Sequence, residues 1–312
     1  MPWVTPSFLA LTRPGRFLIL CYHRVSDDQH PFFPGTPVSL FRRQMEVLRR
    51  RFTVGPLVEL AERARRGNVP NNAVAITFDD GYRDNFTSAF PILKELGLPA
   101  TIFLVTQALD ENGLIWHDRV FDAFHRTSND ELRFENETLP QGSHAERERA
   151  LASVLTYVRG STPEERERAI EVLLRALGVE SRCGGPWEKL RWDEVREMAR
   201  SGIDFGAHTL DHPILKHVGL EEARRQIRGS KERIEAELRA PIGTFAYPNG
   251  RACDFDESTA RILAEEGFAC AVTTVAGAND AGTDPYRLHR VGMWGEDPHV
   301  SALRLAWARR AG

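Results

Sequence analysis

The chain has 312 residues, of which 42% are apolar and 27% are charged, a composition that is ordinary for a soluble globular protein. Its net charge of -3 gives no electrostatic basis for nucleic-acid binding, and the sequence contains no basic tract. No apolar run approaches the length that spans a bilayer. Met1 to Thr12 lacks a basic leader, and its apolar stretch is short for a signal peptide, so we expect a cytoplasmic protein.

The cysteines are scattered along the chain without C-x-x-C spacing, at Cys21, Cys183, Cys253 and Cys270. This spacing argues against a zinc knuckle and against a disulfide framework. We therefore predict reduced and mostly buried thiols.

Strands and helices are predicted to alternate through the first third of the chain. Phe17 to His23 is a continuous apolar run that ends on a histidine, which is typical of a buried strand. The elements predicted after it are a helix at 39–51, a helix at 57–66, a strand at 72–78, a helix at 86–96 and a strand at 100–105. This alternation favours an α/β fold with a parallel sheet, either open or closed.

The pattern changes between about residues 110 and 188, where residues 130 to 176 are heavily charged and predict helices. We interpret this stretch as a helical insertion on the barrel rather than a second core, so that residues 1–312 form a single domain. Most of its charges are assigned to a solvated face. The segment Trp116-His117-Asp118-Arg119 is richer than a solvated helix needs. One interpretation is that this segment reaches the functional site. The favoured interpretation is a packed tryptophan beside a histidine on the surface.

The alternation resumes after Trp192. The predicted elements are a helix at 193–201, a strand at 203–207, a long amphipathic helix at 220–238, a strand at 241–247, a helix at 256–266, a strand at 269–274 and a last strand at 288–293. The strand at 203–207 ends directly before His208.

The central strand, predicted at 72–78, is followed directly by Asp79, Asp80 and Gly81. Ligands in α/β folds bind at the carboxyl ends of strands, so both acids could face one cleft there. Two carboxylates held close together repel each other, and a bound cation relieves that repulsion. The alternative to such a site is that Asp79, Asp80 and Gly81 form an ordinary turn at the surface.

His208 and His212 lie four residues apart in G-A-H-T-L-D-H-P. If the backbone turns helically there, both imidazoles lie on one face and can share a metal. His208 follows a predicted strand, at the edge that should also carry Asp79 and Asp80. Two histidines and one carboxylate, with positions open for water, are typical of a hydrolytic metal site.

Three motifs together resemble the NodB-homology polysaccharide deacetylases of carbohydrate esterase family four. They are T-F-D-D-G at Thr77 to Gly81, H-T-x-x-H at His208 to His212 and F-A-Y-P-N-G at Phe245 to Gly250. The resemblance covers roughly residues 17 to 110 and 188 to 293 and leaves out the charged insertion. It implies a distorted (β/α) barrel and a metal-dependent hydrolysis that removes acetyl from an N-acetylated sugar.

The resemblance also implies roles for individual residues. Asp80, His208 and His212 would be the metal ligands, and Asp79 would be the general base. The backbone N–H of Asn249 would stabilise the oxyanion. The ligand set suits Zn²⁺ but also Co²⁺, Ni²⁺ or Fe²⁺.

The general acid is where the sequence departs from the family's commonest pattern, because the C-terminal tail lacks the expected L-x-H motif. The N-terminal strand is similar to that motif instead, because it is apolar and ends on a histidine, His23. The chain therefore resembles the circularly permuted branch, which contains deacetylases of poly-N-acetylglucosamine exopolysaccharides. We assign His23 as the acid, with His289 as the competitor, and a buried structural role for His23 is the alternative.

A second departure is Ala246, which occupies the position where the family often has an arginine that orients the base. Arg290 is a guess for that function, and an ordinary salt bridge is the alternative. Tyr247 and Trp294, beside Pro248, are predicted to line the sugar site, or else to be core or rim aromatics.

Three functions compete at this point. The first is a metal-dependent carbohydrate N-deacetylase that needs an N-acetylated substrate and no nucleic acid. The second is another amide hydrolase on the same scaffold, such as a deformylase of a lipid-linked amino sugar or a cyclic-imide hydrolase. The third is a non-catalytic sugar-binding relative, which has no need of both a base and a metal triad.

Overall fold

The computed structural model describes residues 15–111, 113–182 and 184–293. Its strands are β1 (Phe17–Tyr22), β2 (Thr53–Val54), β3 (Ala73–Phe78), β4 (Thr101–Leu104), β5 (Glu131–Phe134), β6 (Glu137–Pro140), β7 (Asp204–Ala207), β8 (Thr244–Ala246), β9 (Cys270–Val272) and β10 (Val291–Gly292). Its α-helices are α1 (Val38–Arg51), α2 (Leu57–Arg65), α3 (Phe90–Leu96), α4 (Thr106–Glu111), α5 (Trp116–Arg126), α6 (His144–Gly160), α7 (Pro163–Leu177), α8 (Trp192–Arg200), α9 (Leu220–Leu238) and α10 (Glu257–Glu265).

The central layer is a parallel sheet in the order β10-β1-β3-β4-β7-β8-β9, and β2 pairs with the start of β3. Leu288 forms a parallel bridge with Val272, and its carbonyl accepts a 2.8 Å hydrogen bond from the N–H of Thr273. The same segment continues into β10, which pairs with β1. The sheet therefore curls into a distorted (β/α) barrel with helices outside it, as the sequence predicts.

Burial explains why β1 and β3 are continuously apolar. Every residue of both strands is buried, as expected for a parallel sheet that is covered on both faces. The two strands run in parallel register from Phe17 opposite Ala73 to Tyr22 opposite Phe78. They therefore end at the same level, and the residues that follow each strand lie at one edge of the barrel.

The insertion packs around an apolar cluster that continues to the barrel rim. Its helices α5, α6 and α7 and the hairpin β5–β6 surround buried residues that include Phe124 and Val154, and the same cluster contains Tyr82 and Val105 of the barrel. The hairpin is an addition to the predicted helices, and the assignment of residues 1–312 to a single domain stays a prediction. Charged residues lie between the buried positions of α6 and α7, so the apolar faces of these helices are hard to recognise in the sequence.

Three of the cysteines lie within the described residues and are free thiols. Cys21 and Cys270 are buried, whereas Cys253 is exposed, and Cys183 lies outside the described residues. None of the described helices combines the length and the apolarity that a membrane crossing requires.

Candidate active site

The carboxyl ends of neighbouring strands position the side chains of the site. The N–H of Asp79, directly after β3, donates a 3.0 Å hydrogen bond to the carbonyl of Tyr22 at the end of β1. The N–H of His208, directly after β7, donates a 3.0 Å hydrogen bond to the carbonyl of Leu104 at the end of β4. Continuation of the sheet ladder thus sets these residues at one rim of the barrel.

Asp80, His208 and His212 converge on one point. The Nε2 atoms of His208 and His212 lie 3.4 Å and 3.5 Å from the same oxygen, Oδ1 of Asp80. One ligand atom from each residue lies within 4.8 Å of the other two. All three side chains are buried, with at most 3% of each residue exposed.

These residues fit a divalent cation. Neither oxygen of Asp80 makes a hydrogen bond within the described part of the chain, and a buried carboxylate in that condition calls for a cation. Nδ1 of His208 lies 2.7 Å from the carbonyl oxygen of Ala246, which places the ring N–H on Nδ1 and leaves the lone pair of Nε2 available to a metal. Two imidazoles and one carboxylate are a common set of zinc ligands.

The backbone at this rim is strained. Asp80, Thr209, His212 and Asn249 adopt left-handed conformations, with φ values of 71°, 69°, 64° and 59°. Such strain in non-glycine residues is typical of functional sites. The segment from His208 to His212 is therefore not a helical turn, and the two imidazoles converge without that condition, with ring centroids 4.7 Å apart.

A buried glutamine holds the strained segment. Oε1 of Gln226, on α9, accepts hydrogen bonds from the N–H groups of Leu210 (3.0 Å) and Asp211 (3.3 Å). The N–H of His212 donates a 3.0 Å hydrogen bond to Oγ1 of Thr209. These bonds supply the partners that a regular element would have given to the backbone.

Asp79 is held separately from Asp80, on the other side of the strand end. Arg290 donates hydrogen bonds of 2.7 Å to both of its oxygens, and both residues are almost fully buried. Burial acts to raise the pKa of Asp79, but the Arg290 guanidinium outweighs it and keeps that pKa below its usual value. Arg290 is itself anchored, since its Nε donates a 2.7 Å hydrogen bond to the carbonyl of Thr273.

His23 follows β1 and faces the same pocket as Asp79. Its Nε2 lies 4.0 Å from Oδ2 of Asp79, and its side chain is 20% exposed. His289, the competitor, instead exchanges hydrogen bonds with the side chain of Asn279 through its backbone and does not line the pocket. The geometry favours His23 over His289.

The pocket over these residues has a volume of about 340 Å³. Besides the predicted site residues, its walls contain Phe33, Trp116, His117, Phe121, Arg159 and Thr274. Most of these come from the insertion, so the charged stretch forms one wall of the site. A larger depression of about 930 Å³ lies at the opposite end of the barrel, lined by Thr101, Asp204 and Thr244 at the starts of β4, β7 and β8, and none of the proposed site residues lines it.

His117 corrects the favoured interpretation of the W-H-D-R segment. The residue is buried, and its Nε2 lies 3.5 Å from Oδ2 of Asp80, so it is not a surface histidine. The neighbouring Trp116 donates a 3.0 Å hydrogen bond from Nε1 to the carbonyl of His212. The signal in the sequence was the cluster of a tryptophan, a histidine and an aspartate at the start of α5, and all three residues are buried.

Of the three residues predicted from the third motif, one lines the pocket and two do not. Asn249 lines the pocket, and its carbonyl accepts a 2.7 Å hydrogen bond from Oγ1 of Thr274. Pro248 is buried in the turn, where its carbonyl accepts a 2.7 Å hydrogen bond from the N–H of Gly250. Neither Pro248 nor Tyr247 lines the pocket.

Tyr247 is 1% exposed and lies in the core, where its ring stacks on Phe255 with centroids 4.0 Å apart. Its hydroxyl donates a 3.0 Å hydrogen bond to the carbonyl of Tyr286. The structure therefore contradicts its predicted place in the sugar site and supports the alternative of a core aromatic. Trp294 lies outside the described residues.

Comparison with known proteins identifies relatives of this chain. The YxkH protein of Bacillus subtilis (strain 168), which carries the name of a polysaccharide deacetylase, is 22% identical over 289 residues, or 92% of this chain and 75% of that protein. The poly-β-1,6-N-acetyl-D-glucosamine N-deacetylase of Escherichia coli (strain K12) is 35% identical over 104 residues. That match covers 32% of this chain and 14% of the Escherichia coli protein.

A solved structure shares the fold. The Streptococcus pyogenes deacetylase PplD, solved in complex with acetate, superposes with a TM-score of 0.64 and 19% identity over 95% of this chain and 99% of that chain. The polysaccharide deacetylase family model matches residues 66–271, which is more than half of the chain. The chain therefore belongs to the NodB-homology polysaccharide deacetylase family and is an enzyme of that class.

Proposed function

We propose that this protein removes N-acetyl groups from an amino-sugar polysaccharide or oligosaccharide, using a divalent cation held by Asp80, His208 and His212. The observation that carries the proposal is the convergence of two imidazole Nε2 atoms on one buried oxygen of Asp80 that makes no hydrogen bond within the described residues. Zn²⁺ suits this set best, and Co²⁺, Ni²⁺ or Fe²⁺ would also fit it. A bound divalent cation acts as a Lewis acid on the acetyl carbonyl and makes water more acidic.

Asp79 is proposed as the general base. Its low pKa keeps it ionised at neutral pH, and Arg290 fixes the plane of its carboxylate with two hydrogen bonds. Each carboxylate oxygen has a further lone pair beyond the one used by Arg290. One of these can accept the proton of the attacking water, provided the water enters from the pocket side.

His23 is proposed as the general acid. It lines the same pocket, and its Nε2 is 4.0 Å from Asp79, so the two groups can flank a single acetamido group. The amine is a poor leaving group and must take up a proton as the carbon–nitrogen bond breaks. The backbone N–H of Asn249, at the pocket wall, is proposed to donate to the oxyanion.

We also place the chain in the circularly permuted branch of the family. Strand β1, which delivers His23, lies between β3 and the last described strand, β10. This arrangement gives the N-terminal strand the place in which the common pattern has a late strand. It supports a poly-N-acetylglucosamine-like substrate, as does the similarity to an Escherichia coli protein named for that polymer. The pocket walls Phe33, Trp116 and Phe121 provide flat faces that suit pyranose rings.

The test measures acetate and formate release from N-acetylglucosamine oligomers, N-acetylated polymers and N-formylated amino sugars. We expect acetate release that stops in the His208→Ala variant and after chelation, and that returns when Zn²⁺ is added. Formate release alone would instead identify a deformylase. Metal binding without turnover on any acylated sugar would favour a sugar-binding relative, and full activity after removal of the metal would refute the proposal.

A further inference from the structure

We propose that His117 is a positioning residue for the metal ligand Asp80, so that the insertion completes the metal centre. This inference rests on the proposed function, because it concerns the same cation. The two oxygens of Asp80 face different partners. Oδ1 faces the Nε2 atoms of His208 and His212, whereas Oδ2 lies 3.5 Å from Nε2 of His117.

His117 is placed to orient Asp80 rather than to bind the metal directly. The group whose ligand atoms all lie within 4.8 Å of one another contains Asp80, His208 and His212, and His117 does not belong to it. Oδ2 of Asp80 makes no hydrogen bond within the described residues, so the 3.5 Å contact with Nε2 of His117 is the one that can fix its direction. A partner on the outer oxygen limits rotation of the carboxylate and keeps Oδ1 towards the two imidazoles.

A buried polar network holds His117 in place. Its Nε2 also lies 3.3 Å from Oδ1 of Asp118 and 3.2 Å from the hydroxyl of Tyr82. The Tyr82 hydroxyl donates a 2.5 Å hydrogen bond to Asp118, and Nζ of Lys189 donates a 2.9 Å hydrogen bond to the other oxygen of Asp118. The side chains of Asp118 and Lys189 are fully buried, which makes the network resistant to rearrangement by water.

This network connects three distant parts of the sequence. Tyr82 follows the first motif, Asp118 lies at the start of α5, and Lys189 lies at the end of the insertion. Both ends of the insertion therefore meet on Asp118, beside the metal ligand. The adjacent Trp116 also donates a hydrogen bond to the carbonyl of His212, so neighbouring residues of α5 contact two different metal ligands.

Aromatic rings fix the plane of the His117 imidazole. The centroids of Trp116 and His212 lie 5.3 Å and 5.1 Å from the centroid of His117, both in edge-to-face arrangements. Phe33 and Phe121 lie 6.0 Å away on the pocket side. A phenylalanine at position 117 would keep this packing but would place no polar atom beside Asp80. A glutamine would place an amide group there, which can contact the carboxylate.

The experiment measures Zn²⁺ affinity by competition with a chromophoric chelator for the wild type, His117→Phe, His117→Gln and His125→Ala. His125 is an exposed histidine on the same helix and serves as the matched control. We expect about 10–100-fold weaker zinc binding in His117→Phe, the range seen when outer partners of metal ligands are lost. We expect His117→Gln to recover most of that loss and His125→Ala to bind as the wild type does.

Two further readouts separate positioning from folding. The Tm of each metal-free variant reports on folding, and the visible absorption of the Co²⁺ form reports on ligand geometry. A changed Co²⁺ spectrum in His117→Phe supports the inference. Wild-type zinc affinity in His117→Phe overturns it, and so does an equal loss in His117→Gln with unchanged Tm, because a polar contact to Asp80 would then not be what His117 supplies.

The same measurements distinguish this inference from the proposed function. A wild-type protein that binds zinc through a His117-dependent centre but releases no acetate would refute the function alone. A protein that releases acetate while His117→Phe keeps its full zinc affinity would refute this inference alone.

Discussion

Arg290 donates a 2.7 Å hydrogen bond to each oxygen of Asp79, although the two residues are 211 positions apart in the chain. We propose that this bidentate pair takes the function of the arginine that the third motif often supplies, whose position is occupied here by Ala246. Because both partners are buried, the pair fixes the carboxylate plane and also holds together the strands that deliver them.

The first prediction concerns this pair. Arg290→Lys keeps the charge but cannot form two parallel hydrogen bonds, so we expect kcat to fall by about 10–100-fold with little change in zinc affinity. Steady-state kinetics and zinc titration measure both effects. Arg287→Lys is the control, because Arg287 is three residues away and pairs with Glu257 at the surface. An unchanged kcat in Arg290→Lys would show that Arg290 has only a structural function.

Loss of the charge should affect stability as well. Arg290→Met leaves Asp79 as an unpaired buried carboxylate, which is expected to lower the free energy of unfolding by about 3–5 kcal/mol. Urea denaturation of the metal-free protein measures this effect. A loss well below 1 kcal/mol would mean that water reaches Asp79 when the guanidinium is removed.

The second prediction tests the core position of Tyr247. Tyr247→Phe removes the hydrogen bond to the carbonyl of Tyr286 but keeps the stack on Phe255. We expect a loss of about 1 kcal/mol in the free energy of unfolding and no change in KM. A KM several-fold higher at unchanged stability would return Tyr247 to the sugar site.

The third prediction concerns Arg159, which the insertion places in the pocket wall. Its Nε is buried and makes no hydrogen bond within the described chain, so it is available to a substrate oxygen. Arg159→Leu is expected to raise KM by about 5–30-fold, the equivalent of one hydrogen bond of about 1–2 kcal/mol. Arg149→Leu, at an exposed position of the same helix, is the control. Equal KM values for both variants would exclude a contact between Arg159 and the sugar.

The fourth prediction concerns acid stability. Burial, aided by the charges of His125 and Arg24, lowers the pKa of His30 to about 4. The unfolded chain takes up this proton near its ordinary pKa of about 6.5, so the unfolded state binds more protons between these two values. The free energy of unfolding should therefore fall as the pH decreases from about 6.5 to about 4, and His30 should contribute to this loss.

His30→Phe tests this assignment, because the ring packs against Trp187 and His125 with centroids 4.9 Å and 4.7 Å away. Urea denaturation at several pH values, with chelator present, should show a shallower decrease in the variant than in the wild type. His217→Ala serves as a histidine control outside this cluster. Parallel pH profiles for His30→Phe and wild type would assign the acid sensitivity to other groups.

The sequence predicted the barrel and the residues at its rim because their signals are local. Continuous apolar strands that end on Asp79, Asp80 or His208 place those residues at a known edge of a parallel sheet. The guess that Arg290 orients Asp79 agrees with the geometry, although its catalytic function stays a prediction. The assignments of base, acid and metal ligands likewise stay predictions until they are measured.

The rest depends on contacts that no local pattern contains. His117 meets Asp80 because the insertion folds back over the rim, and its partners Tyr82 and Lys189 lie far from it in the sequence. Charged positions alternate with the apolar faces of α6 and α7, which pack into a cluster that also contains residues of the barrel rim. Tyr247 was placed wrongly because residues beyond the end of a strand no longer follow its alternation, and the aromatic ring turned to Phe255 instead.

The most direct test is a crystal structure of the zinc-loaded protein with anomalous scattering recorded on both sides of the zinc edge. We expect one strong peak at the barrel rim, at distances of about 2.0–2.2 Å from a carboxylate oxygen of Asp80 and from Nε2 of His208 and of His212. Crystals of the fully active protein with no peak between these three residues, or with zinc bound elsewhere, would contradict the account.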